Sequence, residues 1–556
     1  MKAPVLLRPP ARSGWLLASG LLLGLAHPPF HLLLPSFVAL VPFAAWLRRL
    51  PPGEEGRSAA LRGGFLLGLV YFSLVFYWLV VALIFYTWLA VLAFLAPLVI
   101  LALFLSLATL AMHLARIRLG WPVWVGLPVF WTAMEWVRGH LGEVAFPWMG
   151  LGDTLSGFPW LIGSADIVGS RGLTFWLALF NGLLAEMVPT PESAPAPETG
   201  PGGGAGRARA EGSEGAPRRR LRLALAAAAT LAIPLAYSLV RWTTLEMRPA
   251  ARVAVIQPNI AEDLKLDREV AVDSARVSVE RLVSAHLVAS DSDLDLLILP
   301  ETVLPVLVDP IPSRSYTGRP ELHAWVGALA RRLDAGVLFG AIGSRDLGGG
   351  EYEYYNSALL VDRAGKRAGS YHKRYLVPVV ERVPFVDPRW FRGLEYFGGF
   401  GVGRSPQLLE VDGLRFGALV CYESIFADLS RRHRRGGADF LVNITNDAWF
   451  GRAEPWWSRS NALWQHPAHL VMRAIENRVG IARSANTGIS GVVDPLGRMH
   501  HGTELFTPDA FVTEVLTTDG RTVYSRAGDV VGWVAAFVAA VAIAAIGLGK
   551  AGRRAR

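Results

Sequence analysis

Three side chains combine a reactive group with a position at a strand end or in a loop. Glu301 follows Leu296-Leu297-Ile298-Leu299-Pro300, Lys373 lies in Tyr371-His372-Lys373-Arg374-Tyr375, and Cys421 follows Phe416-Gly417-Ala418-Leu419-Val420 and precedes Tyr422-Glu423. Each has a plain reading when taken singly: a carboxylate after a strand is usually solvated, a lysine in a basic loop usually lies at the surface, and a lone cysteine is usually a small buried hydrophobe. Together they suffice for acyl transfer. A thiol attacks a carbonyl well only as thiolate, so it needs a base or a cation nearby. A glutamate can take the thiol proton and return it to a leaving group. A lysine can hold the tetrahedral oxyanion together with the backbone N–H after the nucleophile, here that of Tyr422.

The elements that must carry these groups alternate. Val253-Ala254-Val255-Ile256, Leu296–Leu299, Gly336–Ile342, Ser357–Val361, Phe416–Val420 and Phe440–Asn443 read as buried strands. Apolar residues recur at helical spacing over 267–289, Leu322–Leu333, the stretch after Tyr422, and Pro467–Asn477. Strands apolar on both faces, separated by helices, predict sheets covered by helices, with functional groups where strands end.

The rest of the chain has a different composition. Over the whole chain only 18% of residues are charged, against roughly 25% in ordinary soluble proteins. The deficit is local: from Gly63 to Ala115 there is no Asp, Glu, Lys or Arg. Segments near 14–28, 31–47, 64–85, 88–113, 121–138, 164–188, 221–241 and 530–548 predict about eight membrane spans. Lys2, Arg8 and Arg12 ahead of Leu16–Leu25 resemble a signal peptide, but His27-Pro28-Pro29 is a poor cleavage site, so this segment is read as a retained helix. With eight spans, the basic N-terminus, Arg48/Arg49, Arg116/Arg118, Arg218/Arg219/Arg220 and Arg553/Arg554 share one side, which is then cytoplasmic. The net charge of +9 is explained by those loops, and no nucleic-acid module accompanies it. The division expected is a transmembrane part over 1–245 with a flexible cytoplasmic linker over 189–220, a catalytic part over 250–522, and a last span with a basic tail over 528–556.

The contexts Leu-Pro-Glu301-Thr, His-Lys373-Arg-Tyr-Leu-Val-Pro and Cys421-Tyr-Glu resemble the nitrilase, or carbon–nitrogen hydrolase, superfamily. Within it the chain resembles the apolipoprotein N-acyltransferase family. Gln257-Pro258-Asn259, the run Asn443-Ile444-Thr445-Asn446-Asp447-Ala448-Trp449-Phe450-Gly451, Arg473-Ala474-Ile475-Glu476-Asn477-Arg478 and Glu135-Trp136-Val137-Arg138-Gly139 carry that likeness. The resemblance implies an αββα sandwich beside a polytopic α-helical membrane domain, with Cys421, Glu301 and Lys373 as catalytic triad. It implies Glu381, in Val380-Glu381-Arg382-Val383-Pro384, as a second catalytic carboxylate, with Tyr422 and Glu423 supporting the nucleophile loop. It also implies transfer of an acyl chain from a membrane phospholipid to the amine of a lipid-modified apolipoprotein, at the outer face of a bacterial inner membrane, by a monomer without cofactor or metal. The chain departs at two places: Leu266 stands where the family has Trp at the active-site entrance, and Val380 replaces a Gly before Glu381.

Trp390, Phe391, Leu394, Tyr396, Phe397 and Phe400 form an aromatic stretch that suits packing or a lid at the lipid interface, and Trp449 joins the same set of entrance residues. Glu135 and Arg138, at i and i+3, are expected to neutralise each other. His466 and His469 lack a third ligand in a suitable frame for zinc. Two other readings use the same residues or ignore them: a membrane-tethered amidase with water as acceptor, and a transporter carrying an inactive hydrolase domain.

Overall fold

A computed structural model describes residues 10–85, 88–189, 206–287, 293–308, 319–348, 351–386 and 399–554. Five of its helices are long and apolar enough to cross a membrane: Glu54–Phe76, Ala90–Leu119, Ala165–Met187, Pro217–Thr244 and Val530–Leu548. The other expected spans fall on shorter apolar helical stretches, Gly14–Ala26, Leu33–Arg48 and Val123–Arg138. Helices 54–76 and 90–119 approach closely because one side offers no side chain. A Cβ on Gly68 would stand 2.6 Å from the Cα of Ala102, and one on Gly64 2.8 Å from the Cα of Ser106. Small residues one turn apart are how helices associate where burial from water gives no drive.

Two expectations for this half are corrected. The loop expected over 189–220 is helical from Gly206, continuous with the helix that runs to Thr244. Extending an existing helix avoids the cost of nucleation, which lets the segment be helical despite Gly212, Gly215 and Pro217. Nor do Glu135 and Arg138 neutralise each other. Glu135 Oε1 accepts from Trp131 Nε1 at 3.0 Å and the Leu151 N–H at 2.8 Å, and its Oε2 accepts from the Thr174 hydroxyl at 2.8 Å. Arg138 donates to the Met149 carbonyl at 3.1 Å. The segment after the helix folds back and brings backbone partners nearer than the i, i+3 neighbour.

The described residues of the remaining chain form thirteen strands: β1 Arg248–Gln257, β2 Leu296–Ile298, β3 Leu304–Leu307, β4 Gly336–Gly348, β5 Glu351–Val361, β6 Arg367–His372, β7 Leu409–Val411, β8 Leu414–Val420, β9 Phe440–Thr445, β10 Ile481–Ala485, β11 Gly491–Val493, β12 Met499–His500 and β13 Asp509–Thr517. One sheet has the order β13-β1-β2-β4-β5-β6, with β3 also on β4; the other runs β12-β11-β10-β9-β8-β7. The centres are parallel, β1-β2-β4 and β8-β9-β10, while the margins are antiparallel. Alternation along each strand sorts the layers. Val253, Val255, Leu338, Val420, Val442 and Ala482 meet between the sheets. Ala254, Ile256, Leu297, Val337 and Phe339 face the other way, onto helices Arg268–His286 and Pro320–Leu333. The outer face of the second sheet, with Leu419, Leu441 and Ile481, is covered by Ala427–Gly436 and Ala462–Asn477. The result is the expected αββα sandwich. Its second helical layer shares one continuous apolar cluster with the membrane helices, from Leu16 and Phe76 through Leu470 and Met472 to Ile546.

Candidate active site

The three chemically suggestive residues meet where strands of both sheets end. Glu301 lies just beyond β2. Its loop presses against β4 at Gly340, where a Cβ would come 2.6 Å from the Cα of Glu301. Lys373 follows β6 directly, its N–H bonded to the Asn356 carbonyl of β5 at 2.9 Å. Cys421 follows β8 and opens a 3-10 turn over Cys421–Ile425, with φ of 50°. That is the left-handed region, which a side chain adopts only under constraint and which recurs at functional positions.

All three groups are buried. Lys373 Nζ lies 3.2 Å from Glu301 Oε1 and 2.9 Å from Glu381 Oε1. Asn356 Nδ2 donates to the same two oxygens, at 2.7 and 2.8 Å. The Asn446 N–H, just past β9, donates to Glu301 Oε2 at 2.8 Å. Burial alone would raise Glu301, but Lys373 and the hydrogen bonds from Asn356 and Asn446 outweigh it and hold the carboxyl below its ordinary range. For Lys373 burial pulls down, and Glu301 and Glu381 more than compensate, so the ammonium stays charged. The Cys421 thiol is pushed up by burial and by the Glu301 charge, against the pull of Lys373 and Thr445. At neutral pH the set is therefore a protonated thiol within the field of an ionised carboxylate and a fixed cation. Such a thiol gives up its proton as it attacks, and the carboxylate is available to take it.

Residues 19–183 match the apolipoprotein N-acyltransferase N-terminal domain, and residues 252–519 match the carbon–nitrogen hydrolase family. The chain is 31% identical to the apolipoprotein N-acyltransferase of Geobacter metallireducens over 95% of its own length and 93% of that protein's. The chain belongs to the apolipoprotein N-acyltransferase family. A second member, from Chlorobaculum tepidum, is 27% identical over 94% of each chain. Among solved structures, the nitrilase-superfamily protein Nit3 of Saccharomyces cerevisiae aligns with 51% of this chain and 95% of its own, at 18% identity and a TM-score of 0.35. Membership and the long apolar helices make this a membrane protein.

Several residues singled out by the N-acyltransferase pattern hold the site together. Glu381 touches Lys373 and Asn356 through Oε1, and its Oε2 accepts the Val377 N–H at 2.8 Å. The positive φ in its loop falls on Val379, at 70°, and not on the Val380 that stands for glycine. Glu423 ties the thiol's turn to the lysine's loop: Oε2 accepts from the Val420 N–H at 2.8 Å, and Oε1 from Arg374 N–H at 2.7 Å and the Tyr371 hydroxyl at 2.8 Å. Burial nonetheless pushes it up to about 7. The Tyr422 hydroxyl reaches the Ala145 carbonyl of the membrane half at 2.9 Å.

Among the expected entrance residues, Trp449 lies half-buried against the large apolar cluster. Leu266 closes the short 3-10 turn Glu262–Leu266. Trp390, Phe391 and Phe397 lie outside the described residues. Asn356 has only a faint signal in the sequence, a polar residue beside Ser357 where β5 turns apolar. Sequence reasoning passed it over, and also the Asn446 main chain, although the motif containing the latter was plain. His466, weighed as a metal ligand, instead sits between Asp447 and the carbonyl of Cys421.

Proposed function

We propose that this protein transfers a fatty acyl chain from a membrane phospholipid to the N-terminal α-amine of a diacylglyceryl-cysteine apolipoprotein, through a thioester on Cys421. What carries the reading is the buried set of protonated thiol, ionised Glu301 and Lys373 ammonium in a chain of this family. In the first half-reaction the Cys421 sulfur attacks the ester carbonyl as Glu301 takes the thiol proton. Lys373 and the Tyr422 N–H hold the oxyanion. Collapse expels the lysophospholipid oxygen, which receives the proton from Glu301. In the second half the amine attacks the thioester, Glu301 removes its proton, and the released sulfur regains one. Glu381 and Asn356 keep Lys373 and Glu301 in register.

With phospholipid as the only added substrate, intact-protein mass spectrometry should show one acyl chain on the protein. Neutral hydroxylamine or an acceptor peptide with a free amine should remove it, and Cys421→Ala should never gain it. Wild-type protein that releases ammonia from small amides but forms no lipid adduct would make it an amidase instead.

We read the topology as eight spans with the arginine-rich loops in the cytoplasm and the sandwich outside the bacterial inner membrane. Because a bulky maleimide is poorly suited to the buried Cys421, the check uses an exposed reporter, Glu410→Cys on a Cys421→Ala background. A membrane-impermeant maleimide should label it in intact spheroplasts; labelling only after lysis would reverse the orientation.

A further inference from the structure

We infer that His466 is a positioning residue: through the carbonyl of Cys421 it orients and polarises the peptide bond whose N–H, that of Tyr422, meets the oxyanion. The inference rests on the thioester reading above and adds a residue to it.

His466 lies on helix Ala462–Asn477 and is completely buried. Its Nε2 is 3.1 Å from the Cys421 carbonyl oxygen, and its Nδ1 is 2.9 Å from Asp447 Oδ1. A backbone carbonyl only accepts, and so does an ionised carboxylate. An N–H on Nε2 satisfies the carbonyl, while Nδ1 faces Asp447. Asp447 is fixed in turn by Arg483, on its other oxygen, and by the Thr445 hydroxyl at 2.9 Å. Arg483 Nη2 also stands 3.3 Å from His466 Nδ1. The ring is clamped by stacking on Trp148, with centroids 5.6 Å apart and planes at 21°, and by the edge of Phe450 at 5.4 Å.

The carbonyl it reaches belongs to the residue with φ of 50°. That conformation must be held by its surroundings. The first N–H groups of a short helical turn have no partner within the turn. A donor on the carbonyl of the same peptide unit withdraws electron density and makes its N–H a stronger donor. The run Asp447, His466, Cys421 carbonyl therefore sets a fixed donor on the peptide unit whose N–H, that of Tyr422, serves the oxyanion. A buried ion-pair network that only stabilises packing would use the same residues, and the test must separate the two.

Alkylation by iodoacetamide separates them, because it needs the Cys421 sulfur in place but forms no oxyanion. The full-length protein in lipid, as wild type, His466→Phe and His466→Gln, is assayed for adduct formation from phospholipid and for alkylation of Cys421. The phenylalanine keeps the stack on Trp148 and loses both ring nitrogens, while glutamine can still offer an N–H to the carbonyl. For His466→Phe the acylation rate should fall about tenfold or more, short of the loss expected for a missing donor, with kcat affected and not KM. Alkylation should stay near wild type, and His466→Gln should recover part of the acylation rate. Parallel loss of acylation and alkylation would make His466 structural and overturn the inference, as would an unchanged acylation rate. If His466→Phe does not fold, His466→Asn, whose amide is too short to reach, replaces it and must acylate more slowly than His466→Gln. No adduct even in the wild type would sink the thioester reading and this inference with it; an adduct in the wild type with an unaffected variant would sink this inference alone.

Discussion

Lys373→Met should slow thioester formation by about two to three orders of magnitude, the loss seen when one oxyanion donor is removed from a comparable site. Lys373 is the one cation in contact with both Glu301 and Glu381 among the described residues, at 3.2 and 2.9 Å. Its methionine replacement fills similar space without the charge. It also strands two buried carboxylates beside each other, a change that costs about 3–5 kcal/mol where a buried pair loses one partner. One of the two carboxyls then takes up a proton. The rate is therefore to be measured well below the variant's unfolding temperature, by single-turnover mass spectrometry with Tm recorded alongside. Turnover near wild type in a folded Lys373→Met protein would reduce the lysine to a structural counter-ion.

Glu301→Gln should be as damaging for a different reason. The carboxylate accepts from Asn356, Lys373 and the Asn446 N–H, two donors at Oε1 and one at Oε2. An amide must turn its NH2 toward one of these donors, and it cannot take the thiol proton in either orientation. Loss of a positioned general base costs about 10²–10⁴-fold. In the proposed mechanism both half-reactions use that base, so adduct formation and aminolysis of a preformed adduct should slow together. The pH profile sharpens the test: the wild-type acid limb should lie below 4.5, since Glu301 is held under that ordinary value. Aminolysis at the wild-type rate in Glu301→Gln would remove Glu301 from the second half-reaction.

Most of the architecture was legible because its signals are local. Apolar runs marked β1, β2, β4, β5, β8 and β9, and Glu301 and Cys421 sat just past such runs; Lys373 follows β6, whose Arg-Ala-Gly-Ser-Tyr-His sequence has no apolar run to mark it. What the sequence hid depends on the third dimension. Asn356 bridges Glu301 and Glu381 only because β5 lies beside β4 and β6. Glu135 and Arg138 carry the right spacing for a pair, yet the returning segment through Met149 and Leu151 supplies other partners. His466 looked like half of a metal site because two histidines three apart are visible in a sequence, whereas a carbonyl at 3.1 Å is not. The helix starting at Gly206 was missed because composition suggested a linker, while the adjoining apolar helix had already met the cost of nucleation.

Helix Ala462–Asn477 is gripped by the membrane half at both ends. Asn461 and Gln465 donate to carbonyls of Leu74 and Val75, and Arg478 donates to Asp166 and the Gly163 carbonyl. Between these grips lies the histidine that touches the nucleophile's own carbonyl. Such a mounting makes the helix a single beam from the bundle to the nucleophile's peptide unit, so the thiol takes its position from the helical bundle as much as from its own strand.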